Sequence, residues 1–285
     1  VTSPAAAVER LLGMAVEGLR PVPGGDVCRA YQVRLADGRT VFGKTRPAAP
    51  AEFFAVEAAG LRRLAAAGGV PVPEVLGADD DVLVLEWVEP GPPTAPAAER
   101  LGRELAATHA AQAASYGADR DGWIGPLPLD NSPTVGWAEF YAARRVEPFL
   151  RRAVQDGAVG AEDARDVERA LDRIAVLAGP PEPPATVHGD LWSGNVLWGA
   201  DGRARLVDPA AHGGHRETDL AMLALFGAPL LDRVLAAYAE AAPLAPGWRG
   251  RVPLHQLHPL LVHAVLFGPA YGARAGAAAR AALRG

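Results

Sequence analysis

A chain of 285 residues with 49% apolar and 21% charged side chains has ample length for a sizeable core, arranged as one large domain or as two lobes. Its apolar runs are too short to cross a bilayer, and a net charge of −5 offers no basic footprint for nucleic acid. One cysteine, Cys28, excludes an intrachain disulfide. That count suits a reducing compartment, and Val1-Thr2-Ser3-Pro4-Ala5 shows no secretory signal, so the expected location is the cytoplasm.

In chain order, Ser3 as N-cap, Pro4 behind it, and Val8, Leu11, Leu12, Ala15 and Leu19 at helical spacing predict a helix over roughly 4 to 18. Arg20 to Arg46 reads as three strands. Gly24-Gly25 and Ala36-Asp37-Gly38 are the turns, and Tyr31, Val33 and Leu35 alternate on one face. Gly24-Gly25 would let backbone approach phosphates closely, a weak signal by itself. Lys44 ends the third strand and is the only lysine among 28 basic side chains, so it is expected where a planar guanidinium will not serve. A helix follows over Ala51 to Ala67, stopped by Gly68-Gly69; its Glu57 is expected to hold the Lys44 ammonium against phosphate, with Glu52 as the alternative carboxylate. Strands over Glu74 to Ala78 and Val82 to Val88 complete a five-stranded sheet with one helix. In a two-lobed kinase the last of them is the hinge, and there the Glu86 carbonyl and Val88 amide would pair with an adenine edge. Glu89-Pro90-Gly91-Pro92-Pro93 reads as a linker. The fold expected is therefore α+β and two-lobed, divided as 1–88 and 89–285. Helices are predicted near 97–113, 137–154, 162–177, 219–225, 230–241, 254–267 and 273–283, the last one packed against the body.

The run Val187-His188-Gly189-Asp190-Leu191-Trp192-Ser193-Gly194-Asn195-Val196-Leu197-Trp198 has the spacing of a phosphoryl-transfer loop. Asp190 is suited to accept a proton from a hydroxyl, and five residues on Asn195 offers a neutral amide oxygen to Mg²⁺. Gly199-Ala200-Asp201-Gly202 turns the chain into Leu206-Val207-Asp208-Pro209, so a hairpin brings Asn195 and Asp208 together at its open end. Ordinary turn residues are the competing reading, disfavoured by the strand-turn-strand that follows. His188 is expected to brace this loop, and Asp219 to cap the next helix and accept backbone N–H groups from it. His215-Arg216-Glu217 either lines an acceptor pocket or forms a local ion pair. His255, His258 and His263 are not expected to bind metal, because no carboxylate or cysteine completes the set.

These features together resemble the fructosamine kinase (ketosamine kinase) family, within the aminoglycoside phosphotransferase group of protein-kinase-like folds. The resemblance spans nearly the whole chain. It rests on Gly24-Gly25, Lys44, Glu57, the hinge, Trp123-Ile124-Gly125, Trp137-Ala138-Glu139-Phe140-Tyr141, the run from His188 to Asn195, and Asp208-Pro209-Ala210 continuing into Gly214-His215-Arg216-Glu217-Thr218-Asp219-Leu220-Ala221-Met222. Trp192-Ser193 separates this family from relatives that carry His-Pro there. The resemblance implies ATP and Mg²⁺, Asp190 as base, Asn195 and Asp208 as metal ligands, and Trp192 as a wall against the sugar of a ketosamine, free or on a protein lysine. It departs at Asp26, which stands where a further glycine or cysteine is usual. The alternatives are a kinase of another hydroxyl, such as an aminoglycoside's, and a non-catalytic nucleotide-binding module.

Overall fold

The computed structural model describes residues 3–23 and 27–285. Gly24-Gly25, the turn expected to approach phosphates, lies outside them.

Helix α1 (Pro4–Leu12) starts where Ser3 Oγ accepts the Ala6 N–H at 3.2 Å. It stops short of the predicted residue 18. Gly13 takes a left-handed φ of 65° and donates back to the Glu9 carbonyl, after which β1 (Val16–Val22) has already begun. Strands β2 (Arg29–Leu35) and β3 (Thr40–Thr45), helix α2 (Phe53–Ala66), β4 (Val75–Ala78) and β5 (Val82–Glu86) follow in the expected order. The sheet is antiparallel throughout, ordered β1-β2-β3-β5-β4. Because side chains alternate across a strand, its two faces form two cores. Val33, Leu35, Val41, Val82 and Val84 pack under Ala7 and Val8 of α1, while Leu83 and Leu85 pack against Phe54, Ala58 and Leu61 of α2.

Beyond the proline-rich segment the chain is mainly helical. Helix α3 (Ala95–Ala110) leads to a short hairpin of β6 (Gly122–Ile124) and β7 (Leu127–Leu129). The predicted helix over 137–154 is α4 (Trp137–Phe140) and α5 (Glu147–Gln155) joined through a π-helical turn, Tyr141–Val146. Helices α6 (Ala161–Asp172) and α7 (Ile174–Leu177) are likewise one predicted helix broken at Arg173. Strand β8 (Ala185–Val187), the loop 188–195, β9 (Val196–Trp198), β10 (Ala204–Leu206) and β11 (His212–Gly214) precede helices α8 (Arg216–Phe226) and α9 (Leu231–Ala241).

The predicted helix over 254–267 is α10 (Trp248–His255) and α11 (Leu257–Phe267), separated at Gln256. Pro259 explains the break, since its ring cannot sit over the carbonyl four residues back, that of His255. Tyr141 Oη, fully buried, faces that carbonyl at 2.9 Å and the Leu254 carbonyl at 2.8 Å, and accepts the His258 N–H at 3.2 Å. The alanine-rich α12 (Pro269–Arg284) buries Ala275, Ala279 and Ala282. It lies so close that a β-carbon on Gly272 would come within 1.9 Å of the Ala158 carbonyl oxygen.

Candidate active site

Strand alternation sets the position of Lys44. It pairs with Leu83 of β5 while Phe42 pairs with Leu85, so Lys44 shares the face that α2 covers. Glu57 lies on the buried stripe of α2, and both its carboxylate oxygens accept from Lys44 Nζ at 2.9 Å. Glu52, the alternative, is an exposed residue ahead of the helix with φ of 61°. Nζ also donates to Asp208 Oδ1 at 2.9 Å. Burial works against the Lys44 charge, but Glu57 and Asp208 beside it hold the ammonium above its ordinary value. Burial pushes the Glu57 carboxyl up against the pull of Lys44. For the half-exposed Asp208 side chain burial also opposes ionisation, and there Lys44 prevails, keeping the carboxyl below the usual range.

The loop 188–195 is held from beneath through its backbone donors. Asp219 does not cap α8, whose N-cap is His215; it lies in the first turn, 1% exposed, and accepts the His188 N–H at 2.7 Å and the Gly189 N–H at 3.0 Å. Its Oδ2 also meets His109 Nε2 at 3.1 Å, and His109 Nδ1 meets Tyr238 Oη at 2.9 Å. His188 Nε2 donates to the Val207 carbonyl at 2.9 Å, which leaves Nδ1 to accept the Asp190 N–H at 3.2 Å. At Gly189, φ is 82° and a β-carbon would lie 2.3 Å from the Ala210 carbonyl oxygen, so only glycine fits the bend. Burial, then the charge of Asp208, raises the Asp190 carboxyl to about 7 against the hydrogen bond from Asn195.

Asn195 and Asp208 do meet at the open end of a hairpin. Val196 pairs with Leu206, and the Val207 N–H donates to the Asn195 carbonyl at 3.1 Å. Asn195 Nδ2 donates to the Asp190 carbonyl at 2.8 Å, committing the amide nitrogen to the loop and leaving its oxygen as the coordinating atom. Asp208 keeps one oxygen beyond the one Lys44 occupies. One carboxylate and one amide oxygen are hard donors of the kind Mg²⁺ takes, so the residues present fit the ion.

Lys44, Glu57, Asp190, Asn195 and Asp208 line one cleft of about 700 Å³. Glu86 and Val88 are not on its wall. An aromatic cluster shares its wall. Trp192 and Phe226 stand edge to face at 6.4 Å, Phe226 and His263 are 4.8 Å apart, and His263 and Tyr271 are 5.0 Å apart. Trp192 is 40% exposed and Phe267 55% exposed. Reading the sequence identified Trp192 alone of this group, and it missed His109 beneath the loop. Cys28, also on the wall, has its thiol pushed up to about 11 by burial despite Lys44, and so is not an activated nucleophile.

Neither reading of His215-Arg216-Glu217 holds as expected: none of the three lines the cleft, and the ion pairs that form reach outside the run. Arg216 clasps both oxygens of Glu182 at 2.7 Å, and Arg251 clasps both oxygens of Glu217 at 2.5 and 2.9 Å. His215 Nδ1 accepts the Glu217 N–H at 3.2 Å. The premise that no carboxylate accompanies the histidines needs correcting, because Glu217 Oε2 lies 3.4 Å from His255 Nε2 and groups with His215. Arg251 nevertheless occupies that carboxylate. His258 Nδ1 is taken by the Arg145 carbonyl and His263 Nδ1 by that of Pro259.

The family model for fructosamine kinase matches residues 2–284. The Probable ketoamine kinase of Thermus thermophilus is 38% identical over 93% of this chain and 94% of its own length, and that of Enterococcus faecium is 35% identical over 89% and 91%. A crystal structure from Thermobifida fusca YX-ER1, named for fructosamine-3-kinase, shares 56% identity over the full length of both chains with a TM-score of 0.95. The aminoglycoside phosphotransferase APH(4)-Ia, solved with AMP-PNP and hygromycin B, is 21% identical over 99% and 98% of the two chains; its TM-score of 0.67 shows a shared protein-kinase-like fold. With a family match from end to end and relatives above 30% identity over most of their length, the chain belongs to the fructosamine kinase family, a family of phosphotransferases that act on sugar hydroxyl groups.

Proposed function

We propose that this protein transfers the γ-phosphoryl group of ATP to a sugar hydroxyl of a ketosamine, a fructosamine or ribulosamine either free or carried on a protein lysine. The observation that carries the reading is a single cleft lined both by Asp190, Asn195, Asp208 and Lys44 and by the aromatic cluster of Trp192, Phe226, His263 and Tyr271, with no carboxylate among the described residues beyond Glu57, Asp190 and Asp208. Asp190 accepts the proton of the attacking hydroxyl; a carboxyl raised to about 7 is better matched to that task than an ordinary one. Lys44, held by Glu57, sets positive charge against the transferred phosphate. Asn195 and Asp208 would hold Mg²⁺, which when bound neutralises phosphate charge and orients the nucleotide. The Glu86 carbonyl and Val88 amide remain our assignment for the adenine edge.

The wall of Trp192, Phe226, His263 and Tyr271 suits the apolar face of a sugar ring, whereas a polycationic aminoglycoside calls for an acidic rim. Exposed Trp192 and Phe267 leave the amine side of the acceptor open, which accommodates both small and protein-borne amines. An ATP-consuming reaction and a lone cysteine fit the cytoplasm; among the described residues no helix is long and apolar enough to span a membrane. ADP release measured against a panel of ketosamines, their parent aldoses, free amines and aminoglycosides tests the assignment. Turnover is expected with ketosamines alone. Preference for an aminoglycoside over every ketosamine would overturn the acceptor while leaving the nucleotide residues in place.

A further inference from the structure

Two adjacent residues of β6, Trp123 and Ile124, belong to different cores. Ile124 is 6% exposed within the large helical core, beside Leu129, Phe140 and Val262. Trp123 packs instead into the core beneath the sheet, with Phe53 and Phe54 of α2. Strand alternation accounts for this, since neighbours on a strand face opposite ways. The Trp123 and Phe53 rings lie 5.8 Å apart, Phe53 meets the fully buried Phe54 edge to face at 5.3 Å, and the Arg46 guanidinium covers Phe53 at 4.6 Å. A β-carbon on Gly122 would touch Val56 of the same helix at 3.6 Å. The base of the hairpin is tied down as firmly. The Asn131 N–H donates to Asp121 at 2.9 Å and its Nδ2 to the Arg120 carbonyl at 3.2 Å, closing the two ends on each other. Arg145, 2% exposed and carried on the π-helical turn, then donates to Asn131 Oδ1 at 2.5 Å and to the Asp130 carbonyl at 2.6 Å.

We propose that the β6–β7 hairpin is a strut that fixes helix α2 from the catalytic half of the chain, with Trp123 as the positioning residue through which the Glu57–Lys44 pair is kept formed. Helix α2 carries Glu57 one turn beyond Phe53 and one residue beyond Val56, so a contact that anchors those two anchors the carboxylate. The pair is thereby standing rather than assembled on demand, and no outward swing of α2 is available as an off switch while Trp123 is seated.

The inference deepens the phosphotransferase reading and rests on it for the meaning of Lys44, but α2 itself can be followed without any acceptor. Hydrogen exchange of the amides of residues 53–66 is compared in wild type, Trp123→Ala and Trp123→Phe, with nucleotide affinity measured alongside. Trp123→Ala should speed exchange in α2 about tenfold, the size expected from losing one aromatic pair, and weaken nucleotide binding several-fold without altering exchange in α9. Trp123→Phe should restore both. If Trp123→Ala does not fold, Asn131→Ala, which lies off the cleft, should give a smaller change of the same kind. Unchanged exchange in α2 in the folded variants, or faster exchange spread equally over α9, would overturn the strut, whatever the acceptor proves to be.

Discussion

Lys44 and Asp208 are 164 residues apart in sequence and 2.9 Å apart in the fold, sharing an ammonium that Glu57 also grips with both oxygens. Two carboxylates around one buried ammonium leave the trio short of one positive charge. A divalent cation held at Asp208 would supply that charge and one more, which phosphate would balance. That arrangement also limits what can replace the lysine.

Lys44→Arg should lower kcat/KM for ATP by at least roughly tenfold although the charge is kept. A planar fork cannot bring one nitrogen within 2.9 Å of three oxygens from two elements without displacing α2. Steady-state kinetics at saturating acceptor decides it, and wild-type values in the variant would refute the need for a compact cation.

Asp190→Ala should reduce turnover by about 10²–10⁴-fold, the usual range for a positioned proton acceptor, while nucleotide affinity stays near wild type. A variant that turns over normally would remove Asp190 from the chemistry.

Binding of MgATP should stabilise the fold by about 2.7 kcal/mol at a hundredfold excess over its dissociation constant, and ATP with a chelator by much less. In Asp208→Asn the difference between the two melting curves should shrink. Asn is the better replacement here because φ at this residue is 54°, a region that Asn tolerates and Ala does not. An undiminished magnesium effect in the variant would place the ion elsewhere.

Stability should fall as pH drops below about 6.5. Burial lowers His212 and His215 to about 3, so in this range the native state binds fewer protons than the unfolded chain, whose histidines titrate near 6.5. Each contributes roughly 2 kcal/mol of loss between pH 6.5 and 5; buried His188, His255 and His258, also lowered, add to the loss, while Asp190 and Glu57, whose raised carboxyls take up protons in the native state over the same range, offset part of it. Glu217 adds a second window. Burial opposes its charge, but nearby His255 and the hydrogen bonds from Arg251 hold it at about 2, so its stabilisation is present above the unfolded value of 4.5 and is lost from there downward. Calorimetry from pH 7 to pH 3 reads both windows, and a flat melting temperature between pH 7 and 5 would contradict the first.

Trp192→Ala should raise KM for the ketosamine well before it affects ATP affinity, because the ring sits on the aromatic wall two residues from Asp190. Equal loss of both affinities would mean that the ring supports the loop rather than the sugar.

The residues legible in the sequence are those whose partners lie close along the chain or on a strand of known phase. Asp190 and Asn195 are five apart, the β9–β10 hairpin closes Asn195 onto Asp208, and the phase of β3 carries Lys44 to the α2 face. His109 was invisible because the residue that gives it meaning, Asp219, is 110 positions away. For Arg216 and Glu217 the deciding partners, Glu182 and Arg251, each lie 34 positions off in opposite directions, so local charge could not show that both were already paired. The aromatic wall was hidden for a related reason: Phe226, His263 and Tyr271 come from α8, α11 and α12, and each alone looks like core. Helix boundaries failed where apolar spacing ran through a stop. Ala15 and Leu19 extend the pattern of α1 but lie past its stop, Leu19 in β1, and Leu254 belongs to α10, upstream of the break that Pro259 imposes.

The π-helical turn at Tyr141–Val146 has a consequence for how this chain tolerates change in length. Such a turn amounts to one residue more than an α-helix of the same rise would hold. Deleting one residue within it would let the segment relax to an ordinary helix of nearly the same rise and phase, so the flanking helices would keep their places. In α5 nothing absorbs the loss, and one deletion rotates everything on one side by about 100° relative to the other. Tyr141, which meets the Leu254 and His255 carbonyls, and Arg145, which reaches Asn131, are the residues of the turn whose own removal would cost partners. A scan of single deletions along 137–155 should therefore find Ala142 and Ala143 the best tolerated positions and those of α5 the most damaging.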